Sequence, residues 1–349
     1  MKETKKFGIL NLIALSLLVL ILIAISTLPM LKIENDTDKL KHLESEASMQ
    51  GVIDLWNVDS FSGGSISKSD YLEQVARKFE IQNKGLYINI QNMTVDEFSL
   101  AIASGKRPAM ISFGYGLGEL VKDLLAPLEI DLSAVKSEIK NAGMVENNQL
   151  AVGYLMGGYA YFSSSEKLSD ASKDNSIKLS SEFVNCGYDK KLRKSVKHIY
   201  GLVYGKSNYI SPQNCIENGL VSEICEAPSD YDAYVDFVSL NNATVLLGTQ
   251  RDLVKLKGKL ERGMVQDLLI EPVVNFNDLV QFIGAVKDQE EQVVNYSKFF
   301  MEFLLCDDSQ KQLAGSGLFS TTISSLYPED EFGLMEKAVW ECKNIPNVF

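Results

Sequence analysis

The apolar and polar positions divide the chain into three stretches. From Phe7 to about Leu31 nearly every residue is apolar, with only mild interruptions at Asn11, Ser16, Ser26 and Thr27, and Lys2, Lys5 and Lys6 precede it. Residues 32–50 are polar, rich in Glu, Asp, Lys and Ser. From there on, short periodic segments alternate with turn residues. Val52–Val58 reads as a strand, followed by the turn-forming Ser60–Ser65 run. Tyr71, Leu72, Val75, Ala76 and Phe79 fall on one helical face, with Ser69 or Asp70 placed to cap the first turn. Leu86, Ile88 and Ile90 alternate as a strand, Val95–Ser104 is a helix closed by Gly105, and Ala109–Phe113 is a third strand.

Strand, helix, strand, helix, strand is the order of a parallel sheet with crossover helices, so this part is α/β. Its Gly-rich loops follow the strands, at the carboxyl edge where open α/β sheets hold ligands. A second set of elements follows: strands at Ala151–Met156 and Tyr159–Phe162, helices at Lys190–Tyr200 and Tyr231–Leu240, and a strand at Ala243–Leu247 that enters a helix near Thr249. Beyond these come a strand at Leu268–Val274 and helices at Asp288–Leu305 and Glu331–Cys342.

Length and charge narrow the picture. A chain of 349 residues suits two lobes better than one core. The organisation expected is an anchor over 1–31, a tether over 32–50, a first lobe over 51–155 completed by part of the C-terminal region, a second lobe over about 156–280, and a helical region over 281–349 packing across both. The roughly 20–25 apolar residues are enough to cross a bilayer core of about 30 Å and exceed the central region of a cleavable signal. The lysines place the N-terminus in the cytoplasm and the bulk of the chain outside the cell membrane. Ala24-Ile25-Ser26 offers a cleavage site, and cleavage would give a secreted protein. A net charge of -12 repels phosphate backbones, so nucleic acid is not an expected partner. The densest basic run, Lys190 to Lys197, has the spacing of a solvated helix face.

Chemistry-bearing motifs are sparse. The five cysteines show no zinc-ligand spacing, so neither a metal nor another cofactor is expected, although Cys215 and Cys225 could close a small loop. Gly114-Tyr115-Gly116-Leu117-Gly118 lacks the spacing of a dinucleotide fingerprint, and Gly201 to Lys206 is one residue short of a P-loop. With two histidines, His42 in the tether and His198, a hydrolase triad would have to use His198. No catalytic residue is assigned, and the chain is not expected to be an enzyme.

Five segments resemble the extracellular solute-binding proteins of family 1, the substrate-capturing subunits of bacterial ABC importers for sugars and related solutes. They are Ile53–Phe61 with Gly63-Gly64, Tyr87–Thr94, Ile111–Gly114, Asn242–Asp252, and Phe299–Leu305 with Gln310–Leu313. The similarity runs with gaps from about Val52 to Tyr327. It implies a class II-like periplasmic-binding-protein fold, two α/β lobes joined by hinge strands and closing on a carbohydrate or similar polar solute that is handed to an ABC transporter permease. The family's lipid-modified cysteine is missing, so the apolar helix itself would be the membrane attachment. Ser163–Lys178 and Ser207–Ser229 match poorly. A membrane-anchored sensor for a signalling partner and an extracytoplasmic glycosidase are the alternatives.

Sugar sites combine planar polar side chains with an aromatic face. On the strand-end loops these residue types are Asp59, Ser60 and Phe61, then Ser112 and Tyr115. Tyr154 and Tyr159 flank Gly157-Gly158 at the expected crossing between lobes. In the second lobe Thr249, Gln250 and Arg251 start a helix whose free N–H groups are expected to face the ligand. These ten residues form the expected ligand set.

Overall fold

The computed structural model describes residues 51–166, 196–198, 225–226, 234–235, 237–239, 245–274 and 276–349. The chain divides into two units, Met1–Gln50 and Gly51–Phe349, and every described residue belongs to the second. The expected anchor and tether therefore lie outside the described residues, as does Cys215 of the loop that Cys215 and Cys225 could close. Among the described residues no helix is long and apolar enough to cross a membrane, and Cys306 and Cys342 are free thiols.

The first sheet begins as expected. Strand β1 (Gly51–Asn57), helix α1 (Lys68–Gln82), β2 (Leu86–Asn92), α2 (Val95–Ala103) and β3 (Met110–Phe113) form two crossover units, with β1 parallel to both β2 and β3. Helix α1 starts two residues before the expected first turn. Ser67 is the cap: its hydroxyl accepts from the N–H of Asp70, whose carboxylate accepts from the N–H of Ser67. This reciprocal box satisfies two end donors at once, which neither Ser69 nor Asp70 alone achieves. The apolar face of α1 covers the sheet, Tyr71 stacking on Tyr154 at 6.5 Å and Phe79 meeting the edge of Phe300 at 5.3 Å.

Helix α3 (Gly118–Val121), helix α4 (Ser137–Ala142) and a short hairpin, β4 (Met144–Val145) with β5 (Asn148–Gln149), lead to β6 (Val152–Met156) and β7 (Tyr159–Ser163). The second sheet is completed by β8 (Val196–His198), β9 (Cys225–Glu226), β10 (Val245–Thr249) and β11 (Leu269–Pro272), in the order β11-β7-β10-β8-β9, with α5 (Gln250–Glu261) leaving β10. Strand β8 corrects the expected helix over Lys190–Tyr200 at Val196–His198, the only part of it described. These residues pair in parallel with β10 and β9, so sheet pairing overrides the helical spacing of the lysines.

The segment expected to be helical from 281 onward opens with a strand instead. Strand β12 (Val280–Ala285) lies in the middle of the first sheet, whose order is β13-β6-β12-β3-β1-β2, antiparallel to β3 and β6. All six of its residues are buried. A strand covered on both faces has no alternation to reveal it, which is why Val-Gln-Phe-Ile-Gly-Ala escapes a periodicity reading. Helix α6 (Glu291–Leu305), helix α7 (Asp307–Gln310), β13 (Phe319–Ser320) and α8 (Glu331–Glu341) follow.

Among the described residues, two segments carry the chain between the sheets. Gly157-Gly158 joins β6 to β7, and residues 273–274 and 276–279 lie on the return from β11 to β12. They are tied to each other: the Gly157 N–H donates to the Leu279 carbonyl at 2.7 Å, the Val273 N–H to the Tyr159 carbonyl at 2.9 Å, and the Asn277 side-chain amide to the Gly157 carbonyl at 3.2 Å.

Candidate functional site

Strands β1, β3 and β6 run the same way, so their carboxyl ends share one edge with the start of β12. Along that edge the sheet carries a row of polar side chains. Asn92, Asn57 and Ser112 are neighbours in register on β2, β1 and β3. Asn57 Nδ2 donates to Asn92 Oδ1 at 2.9 Å, and Ser112 Oγ donates to Asn57 Oδ1 at 2.8 Å. Gln281 on β12 donates from Nε2 to Ser112 Oγ at 3.0 Å and to the Val58 carbonyl at 2.9 Å. A serine hydroxyl has one proton, and Ser112 spends it on Asn57, so the 3.0 Å contact with Tyr154 is donated by the tyrosine. Burial pushes the Tyr154 phenol well above its ordinary range, in keeping with that protonated role. The row thus crosses five of the six strands.

Gln281 is the hub. Its Oε1 accepts from Ser60 Oγ and from Lys68 Nζ, both at 3.0 Å, so both amide hydrogens and both lone pairs are in use. Lys68 is fully buried at the first position of α1, where the helix dipole opposes a cation. The nearest carboxylate, Asp59, is 3.9 Å away, and the Phe61 ring lies 3.8 Å from Nζ. Desolvation outweighs the pull of Asp59 and lowers the amine to about 7. The row reaches solvent at its far end. The Asp59 side chain is 44% exposed and accepts from Asn57 at 3.1 Å, and Asn92 is exposed.

The ten expected ligand residues fall into two groups. Asp59, Ser60, Phe61, Ser112 and Tyr154 belong to this network or touch it. Tyr115 donates instead to the Pro346 carbonyl at 2.6 Å, holding the C-terminal tail, and Tyr159 donates to Asp278 Oδ1 at 2.6 Å in the return crossing. Asp278 is fully buried, and desolvation raises its carboxyl to about 7 against the opposing hydrogen bond from Tyr159. Thr249 caps α5, Arg251 is exposed, and Asp252 pairs with Lys255 at 3.2 Å. Gln250 is completely buried. Its side chain accepts from the Gly158 N–H at 3.0 Å and donates to the Ser62 carbonyl at 2.8 Å.

The free N–H groups expected at the start of α5 are taken. Thr249 donates to the Asp252 carboxylate, Gln250 to the Gly158 carbonyl and Arg251 to the Thr249 hydroxyl. Asn57, Lys68, Asn92 and Gln281 are absent from the expected set. For Lys68 a signal exists in the sequence, a cation just after a capping serine; for Gln281 there is none, since its strand goes unseen. Among the described residues no group of His, Cys, Asp and Glu could hold a metal ion.

No protein-family model and no curated protein matches the sequence. Solved structures do match the fold. A sugar-binding protein of Xanthomonas citri is similar with a TM-score of 0.59 at 13% identity, over 86% of this chain and 88% of that one. An ABC substrate-binding protein of Listeria monocytogenes in complex with cycloalternan is similar with a TM-score of 0.56 at 14% identity, over 86% and 89%. An extracellular solute-binding protein of Staphylococcus aureus in complex with maltose is similar with a TM-score of 0.54 at 12% identity, over 87% and 88%. The chain has the two-lobed α/β fold of the extracellular solute-binding proteins.

Proposed function

We propose that this chain is an extracytoplasmic solute-binding protein that takes up a hydroxyl-rich solute, a carbohydrate of the α-glucan type in the first instance, at the carboxyl edge of its first sheet. The observation that carries this reading is the polar row across five strands, rooted in Gln281 and opening to solvent at Asp59 and Asn92. A carboxylate and a carboxamide held side by side offer the paired acceptor and donor groups that vicinal hydroxyls require. Asn57 presets the aspartate, so little ordering is left for the ligand to impose. The maltose and cycloalternan held by proteins of the same fold support the choice of ligand class.

The lobe boundaries proposed from sequence, near 155 and 280, fall beside the two crossings. Ligand contacting both lobes only when they approach would favour the closed form and present it to an ABC importer permease. The apolar segment 7–31 would keep the protein at the outer membrane face. Calorimetry against maltose, longer maltodextrins and cycloalternan tests the ligand class. Binding to one of them, weakened at least tenfold by Asp59→Ala, is the expected result. Silence across the whole panel would overturn the carbohydrate reading, and turnover of an oligosaccharide would replace it with an enzymatic one.

A further inference from the structure

We infer that Gln250 is a latch that holds the two lobes together in the absence of any ligand, an inference that goes beyond the binding reading and does not depend on it. Three short bonds converge on this residue, with a longer one at 3.5 Å from Nε2 to the Gly63 carbonyl. Its backbone N–H donates to the Gly158 carbonyl at 3.1 Å and its Oε1 accepts from the Gly158 N–H at 3.0 Å, so both backbone polar groups of Gly158 are held at the start of α5. Its Nε2 reaches past the crossing and donates to the carbonyl of Ser62, in the loop that follows β1 of the other sheet. One carboxamide therefore joins the second lobe, the crossing and the first lobe.

The surroundings are shaped for this contact. A Cβ at Gly157 would stand 2.6 Å from Gln250 Oε1 and 2.9 Å from the Phe61 ring, so only glycine lets the amide and the ring close over the crossing. Gln250 is fully buried and Phe61 is 5% exposed, so both are dry in this arrangement. A planar amide and an aromatic ring are the groups a sugar would meet, and here both close on the crossing glycine, Gly157. Separation of the lobes breaks the Ser62 bond and returns Nε2 to water. A neutral hydrogen bond exchanged against water biases such an equilibrium by roughly five- to tenfold. That bias favours closure before ligand arrives, and a ligand that contacts both lobes adds to it.

Ligand-free protein tests the latch through two substitutions. Gln250→Glu keeps the acceptor for Gly158 and loses the donor for Ser62. Gln250→Met keeps the volume and loses both bonds without adding charge. Small-angle scattering is expected to give a larger radius of gyration for both variants than for the parent. Amide exchange at Gly158 is expected to stay slow in the Glu variant and to quicken roughly five- to tenfold in the Met variant. A folded Met variant with the parent's radius of gyration overturns the latch, whatever the Glu variant does, because a buried carboxylate could force opening by itself. The outcome is independent of the carbohydrate panel, so failure of either reading leaves the other standing.

Discussion

Two buried residues carry the polar row, and they differ in what their removal does. Gln281 serves four partners, Val58, Ser60, Lys68 and Ser112, from inside the sheet. Gln281→Leu leaves each of them short of one bond in a dry interior. Urea unfolding is expected to show a loss of roughly 3 kcal/mol or more. Lys68 is the reverse case. Its ammonium is desolvated, faces the positive end of α1 and has its nearest carboxylate at 3.9 Å, so Lys68→Met keeps the packing and removes an uncomfortable charge. At pH 6 the Met variant is expected to match or exceed the parent in stability, and a loss beyond about 1 kcal/mol would contradict this account.

At the scale of elements, the two crossings decide how the sheets are joined. Gly157 and Gly158 leave β6 and enter β7 within two residues, while Asn277 and Leu279 of the return segment bond Gly157 and Val273 bonds Tyr159 just beyond. Close approach, rather than an unusual dihedral angle, is what demands glycine at 157. Gly157→Ala must displace Gln250 and Phe61 and is expected to destabilise by about 1–3 kcal/mol, read as a lowered urea midpoint. The helix starts are fixed more locally. Ser67 with Asp70, Thr94 with Glu97 and Thr249 with Asp252 each form a reciprocal box, so the entry of α1, α2 and α5 is written in four consecutive residues each time. These boxes were open to a sequence reading, and α1 nevertheless had two adjacent rivals, Ser69 and Asp70, for its cap.

For the molecule as a whole, two buried groups set opposing pH dependences. Asp278 is raised from 3.8 to about 7, so the folded protein holds a proton that the unfolded chain has released. Its contribution is full below pH 4 and is lost as pH rises through 7. Lys68 is lowered from 10.5 to about 7, so above that pH the unfolded chain binds the extra proton. Stability from this source is regained as pH rises from 7 toward 10.5. The two together place a minimum near pH 7. Denaturation midpoints measured from pH 5 to 10 are expected to show it, with Asp278→Asn flattening the acid limb and Lys68→Met the alkaline limb. Unchanged limbs in both variants would show that other groups govern the profile.

The order of β1, α1, β2, α2 and β3 was legible because each element buries one face and therefore keeps its period in the sequence: Tyr71, Leu72, Val75, Ala76 and Phe79 announce α1, and Leu86, Ile88 and Ile90 announce β2. Strand β12 was not, since burial on both faces erases alternation, and with it went Gln281 and the centre of the polar row. Of the expected ligand residues, Ser60, Ser112 and Tyr154 sit within that row, but no spacing could reveal that β12 would bring Gln281 among them from more than a hundred residues away. The same holds for Gln250, whose chemistry suggested a ligand and whose partners are the protein's own Gly158 and Ser62. The sequence by itself determined the local elements, the α/β class and the residue types at the strand ends, because these follow from neighbours along the chain. Only the tertiary structure decided which of those side chains keep a face to solvent, as Asp59 and Arg251 do, and which are spent holding the molecule together, as Gln250 and Tyr159 are, because that depends on which strand ends meet across the sheets.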